Sequence, residues 1–340
     1  MEEILSNIDN GYRLSIKVIG IGGAGNNMVS WLYNKGIQGA EIIACNTDQQ
    51  QLNTAQADAK LLLGMELTNG LGCGGYPELG RKSAESSSLS IKNKLSSVNL
   101  LFICAGMGGG TGTGAAPFIA KLAKQQGAIV IGTVTMPFKL ERTRIDKAEF
   151  GISQLREHCN TVIIIDNSRL LQLAGNLPLQ KAFAVANELI ATMIKGIVET
   201  IAIPSLVNLD YADVKAIMTS GGVAAIGVGI GEGSSKVKQA VTSALDNPLL
   251  EISYQGATGA LIQIEGGPDL TLSEITEATE IIAAQLDDTA NVIFGARINN
   301  ELYGKVRVIS IITGISSPYI TGCEQFTNKQ PGRSDINTIV

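Results

Sequence analysis

Between Ala105 and Pro117 the chain reads AGMGGGTGTGAAP, directly after the apolar run Leu100-Leu101-Phe102-Ile103-Cys104 and directly before the helical pattern Phe118-Ile119-Ala120-Lys121-Leu122. Strand, glycine loop and helix in that order leave the backbone few choices. Glycines let consecutive N–H groups converge on one point without Cβ obstruction, and a following helix aims the positive end of its dipole at the same point. The segment is therefore suited to cradle an anion such as a phosphate. It carries Thr111 and Thr113 where a P-loop would carry Gly-Lys-Ser/Thr, so no lysine enters the cradle. Charge on a bound phosphate has to be met by amides, hydroxyls and a metal.

Apolar runs alternate with helical patterns from Ile16 to Asp166: Ile16 to Gly20, Glu41 to Cys45, Asn99 to Cys104, Ala128 to Met136 and Thr161 to Asp166 read as buried strands. This alternation predicts an α/β fold with a doubly wound parallel sheet, in which ligands bind beyond the carboxyl ends of the strands. From Leu179 to about Ile203, apolar positions including Phe183, Leu189, Ile190, Ile194, Ile197 and Ile201 recur at helical spacing, which predicts one long, largely buried helix. Beyond it, β runs at Val223 to Ile230, Ala260 to Glu265, Asn291 to Ile298 and Lys305 to Thr313 mix with two helices, one starting near Thr271 with the capping-box spacing Thr-Leu-Ser-Glu. The expected organisation is a nucleotide-binding domain at 1–178, a central helix at 179–204, a smaller α+β domain at 205–317 and a flexible polar tail at 318–340.

Composition narrows the function classes. With 340 residues, 45% apolar and 17% charged, the chain is long enough for two domains, and nothing in it suggests disorder. A net charge of −5 without a Lys/Arg cluster speaks against nucleic acid as a partner. The N-terminus lacks a signal h-region and no stretch approaches the roughly 20 apolar residues of a membrane span, so the expectation is a cytoplasmic protein without direct membrane insertion. Five scattered cysteines and one histidine support neither a disulfide framework nor a protein-held metal, and His158 reads as a surface residue.

Four further segments carry candidate chemistry. Gly20-Ile21-Gly22-Gly23-Ala24-Gly25 opens a helix after the first strand and fits the dinucleotide fingerprint, with Asp48 placed where a ribose-binding acid would stand. An NAD-dependent oxidoreductase is thus a rival reading, but two glycine cradles favour a triphosphate, and the second half of the chain has no catalytic constellation for hydride transfer. Gly70-Leu71-Gly72-Cys73-Gly74-Gly75 is either a third donor loop near a terminal phosphate or a mobile turn. Met136 to Arg144 ends a strand with Glu141, Arg142 and Arg144, which could hold ribose hydroxyls and phosphate oxygens or simply begin a solvated helix. Asn208-Leu209-Asp210-Tyr211-Ala212-Asp213 offers acids that could polarise a water for attack on a γ-phosphate, or cap the helix that follows.

GGGTGTG at Gly108 to Gly114, GIGGAGNN at Gly20 to Asn27, Asn46-Thr47-Asp48 and NLDYAD at Asn208 to Asp213 together resemble the tubulin/FtsZ superfamily, and within it the cell-division GTPases, over roughly residues 14–316. The resemblance implies a GTPase that stacks head to tail into protofilaments. It further implies that Asn208, Asp210 and Asp213 of one subunit complete the hydrolytic site over the GTP of the next. By the same resemblance Gly22, Gly23, Ala24, Gly25, Asn26 and Asn27, with Gly108, Gly109, Gly110, Thr111, Gly112 and Thr113, hold phosphates. Asn46, Asp48, Gly74, Gly75 and Pro137 join the nucleotide site, Glu141 takes the ribose, Arg144 a phosphate, Asn167 and Asn187 read the guanine edge, and Phe183 stacks on the base. Mg²⁺ would be bound mainly through phosphates and water.

Three features depart from the family pattern. Ile145 stands where bacterial members carry arginine, which makes Arg144, as in archaeal members, the substitute. Asn26 stands where glycine is common, a change expected to be tolerated because asparagine accepts positive φ. The bacterial C-terminal adaptor peptide is not recognisable, so a membrane-tethering adaptor would have to be met by a different motif at Ser334 to Val340. The expectation is a GTP-hydrolysing, filament-forming protein of the division site, with a nucleotide-binding scaffold of negligible hydrolysis as the alternative.

Overall fold

The computed structural model describes residues 14–168, 176–203, 205–207, 209–219, 223–246, 254 and 256–315. In chain order they form β1 (Ile16–Ile21), α1 (Gly22–Lys35), β2 (Ala40–Asn46), α2 (Gln49–Thr54), β3 (Ala59–Leu62), α3 (Met65–Thr68), α4 (Pro77–Ser86), α5 (Ser88–Lys94), β4 (Leu100–Gly106), α6 (Thr111–Gln125), β5 (Ile129–Met136), α7 (Arg142–Arg156) and β6 (Thr161–Asp166). They continue with α8 (Leu179–Ala202), α9 (Tyr211–Thr219), β7 (Val223–Glu232), α10 (Lys236–Leu245), β8 (Gly259–Gly266), α11 (Leu272–Ala283), β9 (Asn291–Ile298) and β10 (Lys305–Ile315).

The strands lie in the order β3-β2-β1-β4-β5-β6-β7-β10-β8-β9. The first six are parallel, the arrangement expected of near-continuous apolar runs covered by helices on both faces. β6 and β7 meet through the single pair Val162 and Val223, and beyond that hinge point β10 runs antiparallel to both β7 and β8. The ten strands are thus a parallel and a mixed sheet joined at one residue pair. In the parallel part the order reverses between β1 and β4, which opens a crevice at their carboxyl ends.

The core is continuous along β4, where Leu100 to Ala105 are all solvent-free, and along the inner face of α8 through Ile190, Met193, Ile194, Ile197 and Val198. Each such side chain contributes about 1.5–3 kcal/mol of burial free energy. α8 is clamped on both sides. Toward the first domain, Trp31 Nε1 donates to Glu188 Oε2 at 2.7 Å and Lys35 pairs with Glu188. Toward the second, Gly196 packs against the Ile309 side chain of β10, whose Cδ1 would lie 2.1 Å from a Cβ at that position and would have to swing aside.

One boundary and one strand differ from the sequence reading. α6 begins at Thr111, inside the glycine–threonine run, rather than after Pro117. The glycines there serve packing as well as turning: a Cβ on Gly114 would sit 1.9 Å from the carbonyl oxygen of Pro77 at the start of α4. β3, a whole strand, was not expected, because three half-buried residues and the exposed Lys60 at a sheet edge leave almost no periodic signal. The capping box forms as the spacing predicts: Thr271 Oγ1 accepts from Glu274 N at 3.3 Å, and Thr271 N donates to Glu274 Oε2 at 3.0 Å.

Candidate active site

A cavity of about 530 Å³ occupies the crevice at the carboxyl ends of β1, β2, β4 and β5. Of the residues singled out from the sequence, it is lined by Gly22, Gly23, Ala24, Asn46, Asp48, Gly74, Gly75, Gly109, Gly110, Thr111, Gly112, Pro137, Glu141, Arg144, Asn167 and Phe183. All three glycine loops therefore converge on one space. Gly22 opens α1 at φ +73° and Thr111 opens α6, so the amides facing the cavity belong largely to two helix N-termini, the arrangement that favours an anion. Arg144 lines the cavity, whereas Arg142 does not.

Six of the residues that the resemblance assigns to the nucleotide do not line it, and the structure gives several of them other work. Gly25 lets α1 pack on β4, since a Cβ there would lie 2.3 Å from the Cys104 carbonyl oxygen. Asn26 is buried within α1 and does not adopt positive φ, so the expected reason for its tolerance is corrected. With its amide turned to the one orientation that satisfies both ends, its nitrogen donates to the carbonyls of Gly20 and Cys45 at 2.9 and 3.1 Å and its oxygen accepts from Asn46 Nδ2 at 3.2 Å, joining β1, α1 and β2. Asn27 is exposed. Gly108 takes φ +92° against the Arg144 backbone, and its amide donates to Thr113 Oγ1 at 2.9 Å, which folds the loop back onto α6. Asn187 lies half-buried on α8.

At one end of the cavity Phe138 and Phe183 meet edge to face, with ring centroids 5.9 Å apart. Glu141 accepts from Phe138 N at 3.1 Å and from Arg144 Nη1 at 2.5 Å. At the other end the third loop is tied down rather than loose. Lys147 Nζ donates to the Gly75 carbonyl at 2.8 Å and lies 5.8 Å from the Tyr76 ring centroid. Sequence reasoning missed Lys147, and also Gln51, whose Oε1 accepts from Asn46 Nδ2 at 3.3 Å on the cavity wall. Neither stands in a glycine motif, so only proximity reveals them.

The cavity's two carboxylates are both engaged. Asp48 Oδ1 caps α2 by accepting from Gln51 N at 3.0 Å, and Glu141 holds Arg144. Asp210 and Asp213 lie outside the cavity at the start of α9, where Asp213 N donates to Asp210 Oδ1 at 2.8 Å and Asp210 N to Asp213 Oδ2 at 3.3 Å. This is the reciprocal geometry of a helix cap. Asn208 and the tail at 318–340 lie outside the described residues. Burial pushes the thiols of Cys45, Cys104 and Cys159 up, the last two to about 12, so none is a nucleophile near neutrality. Among the described residues no cluster of acids, histidines and cysteines suits a metal, and no helix is long and apolar enough to cross a membrane.

Residues 15–175 match the Tubulin/FtsZ family, GTPase domain, and residues 222–316 match the FtsZ family, C-terminal domain. Cell division protein FtsZ 2 of Methanocaldococcus jannaschii is 56% identical over 310 residues, covering 90% of this chain and 82% of that one. Cell division protein FtsZ 2 of Halobacterium salinarum is 50% identical over 319 residues, covering 94% and 81%. A solved FtsZ dimer of M. jannaschii superimposes with a TM-score of 0.85 at 39% identity over 99% of both chains. A CetZ2 protofilament of Haloferax volcanii, at 23% identity and a TM-score of 0.78 over 92% of this chain and 97% of that one, shares the fold. Two family domains in the expected order and relatives at half identity settle the matter: the chain belongs to the tubulin/FtsZ family, as a cell-division GTPase of the FtsZ branch.

Proposed function

We propose that the cavity binds GTP with its phosphates against the amides of the glycine loops and its base toward Phe183, and that hydrolysis is completed by Asp210 and Asp213 of a neighbouring subunit. One observation carries the second half of this reading. The cavity supplies donors in abundance but only two carboxylates, Asp48 and Glu141, while the paired acids Asp210 and Asp213 stand outside it. A water attacking the γ-phosphate needs an acid to orient it and accept its proton. Head-to-tail stacking would bring the acids at the start of α9 over the next subunit's cavity, with Asn208 beside them.

The cradle fits a triphosphate. Its walls are backbone at positions such as Gly110 and Gly112, where a Cβ would collide with Cys73 or with the Gly106 carbonyl. No lysine lines it, and Arg144 is its single cation, already sharing its charge with Glu141. Mg²⁺ held by the phosphates and water would supply the remaining charge compensation. In this reading Glu141 takes the ribose and Asn167 the guanine edge, both from the cavity lining.

Self-association agrees with the dimeric and protofilament forms in which relatives were solved. The relatives are named cell division proteins, and our reading extends to the division site in the cytoplasm and to a membrane-tethering adaptor that engages the tail around Ser334 to Val340. The test is GTP turnover per subunit against protein concentration. A steep rise at the assembly threshold is expected, and a rate per subunit that stays flat through it refutes hydrolysis in trans.

A further inference from the structure

Thr47 stands between Asn46 and Asp48 and does not line the cavity, yet it is wholly buried and bonded on every side. Its amide donates to Asn46 Oδ1 at 2.9 Å, and its carbonyl accepts from Gly72 N at 3.1 Å and from Thr68 Oγ1 at 3.3 Å. Its hydroxyl lies 2.7 Å from Thr111 Oγ1 and 3.2 Å from Cys73 Sγ. Thr111 opens α6 at the cavity wall, and Cys73 sits in the third glycine loop, also on the wall. One side chain thus touches both halves of the phosphate end.

The hydrogens in this row can be counted. Three groups, Cys73 S–H, Thr47 O–H and Thr111 O–H, share two contacts, and the middle hydroxyl has one hydrogen to give. If Thr47 donates toward Cys73, Thr111 donates to Thr47 and turns a lone pair to the cavity. If Cys73 donates to Thr47, and Thr47 to Thr111, the Thr111 hydrogen is left for the cavity; if Cys73 and Thr111 both donate to Thr47, the buried Thr47 hydrogen is left with neither as acceptor. The surrounding amides make the cavity a site for an anion, which selects the second arrangement, and a donor whose oxygen already accepts a hydrogen bond is strengthened by it.

We propose that Thr47 is a positioning residue of the GTP site, whose buried hydroxyl both fastens the third glycine loop to the start of α6 and turns the Thr111 hydroxyl hydrogen toward the phosphates. The inference rests on the reading that this cavity holds GTP. It assigns to Thr47 a role that neither cavity lining nor glycine patterning reveals.

The test compares the full chain with Thr47→Val, which keeps the shape and removes the hydroxyl, and Thr47→Ser, which keeps the hydroxyl. Two quantities are read: the dissociation constant for GTP, and the rate at which iodoacetamide alkylates Cys73 in nucleotide-free protein, resolved by peptide mass spectrometry. Loss of the shared hydrogen bonds is expected to weaken GTP binding on the order of tenfold. Alkylation of Cys73 should quicken by a comparable factor as the third loop loosens, and Thr47→Ser should restore both. Wild-type behaviour of Thr47→Val in either quantity overturns the proposal, as does a Thr47→Ser variant no better than Thr47→Val. Should Thr47→Val fail to fold, Thr47→Ala is read in the same way, with wild-type values again refuting. A wild-type chain that binds GTP no better than ATP would instead defeat the GTP reading, whatever the alkylation rates.

Discussion

Hydrolysis shared between subunits can be reconstituted from two inactive variants. Asp213→Ala keeps every cavity residue and removes one acid. It loses half of the reciprocal cap with Asp210, a cost of about 0.5–1 kcal/mol that leaves a domain of this size folded. Losing a group that orients and deprotonates the water lowers turnover on the order of 10²–10⁴-fold. Gly110→Val keeps both acids and spoils the cradle, because its Cβ would lie 2.5 Å from Cys73 Cβ and 3.1 Å from Tyr76 N, forcing the third loop away. Neither variant should hydrolyse GTP alone. When they are mixed, a junction works where Asp213→Ala supplies the cavity and Gly110→Val supplies the acids. In an equal mixture with random neighbours about a quarter of head-to-tail junctions meet that condition. Phosphate release at fixed total protein should therefore follow f(1 − f) in the mole fraction f of either variant, peaking at equal amounts. Co-sedimentation establishes that both variants enter the same polymer. If they co-sediment and release stays at the level of the separate variants across all fractions, the acids do not act across the junction and the reasoning fails.

Two further outcomes follow from hydrogen bonds outside the catalytic chemistry. Replacing Asn26 with Leu removes the amide that bonds the carbonyls of Gly20 and Cys45 and should lower stability by about 1–3 kcal/mol, measured by denaturant unfolding; a variant as stable as wild type would show that the amide does not clamp α1 to the sheet. The Asp269 carboxyl is held below its ordinary value first by the hydrogen bond from Lys236 and then by the amide of Gly304. The unfolded chain therefore binds the extra proton first, so this stabilisation is complete above the unfolded value near about pH 4 and is lost as pH falls through the folded one. Thermal midpoints between about pH 5 and about pH 3 should fall less steeply for Asp269→Asn than for wild type, and equal slopes would remove the assignment.

The parallel sheet was legible because its strands are buried on both faces and read as uninterrupted apolar runs. The run at Leu100 to Cys104 could hardly be anything else. The long helix was legible because its inner face repeats at helical spacing over 24 residues. The start of α6 was not, because glycine enters a sequence for reasons the sequence does not separate. Gly108 turns the chain at positive φ, whereas Gly114 sits inside a helix and makes room for the backbone of α4. Both look like loop. β3 escaped for the opposite reason, since it pairs along one edge through four residues and carries no alternation.

Within the site, the residues that stood out were those whose type alone is diagnostic: glycines, threonines and acids in runs. The supporting residues did not, because their role depends on what lies across the fold. Lys147, the one lysine of α7, looks like any surface lysine until its ammonium is found on the Gly75 carbonyl. The same holds for the acids. That Asp48 and Asp213 are carboxylates is visible in the sequence, but whether each is engaged is a property of three dimensions. Asp48 reaches the cavity and is occupied by Gln51, while Asp210 and Asp213 are far along the chain and absent from the cavity wall. The lining of an isolated subunit is thus strong in anion donors and lacks the Asp210–Asp213 pair, a division that fits the proposal of chemistry completed on assembly. On the proposed reading, binding precedes contact between subunits and hydrolysis follows it, so the age of a junction would be written into its nucleotide.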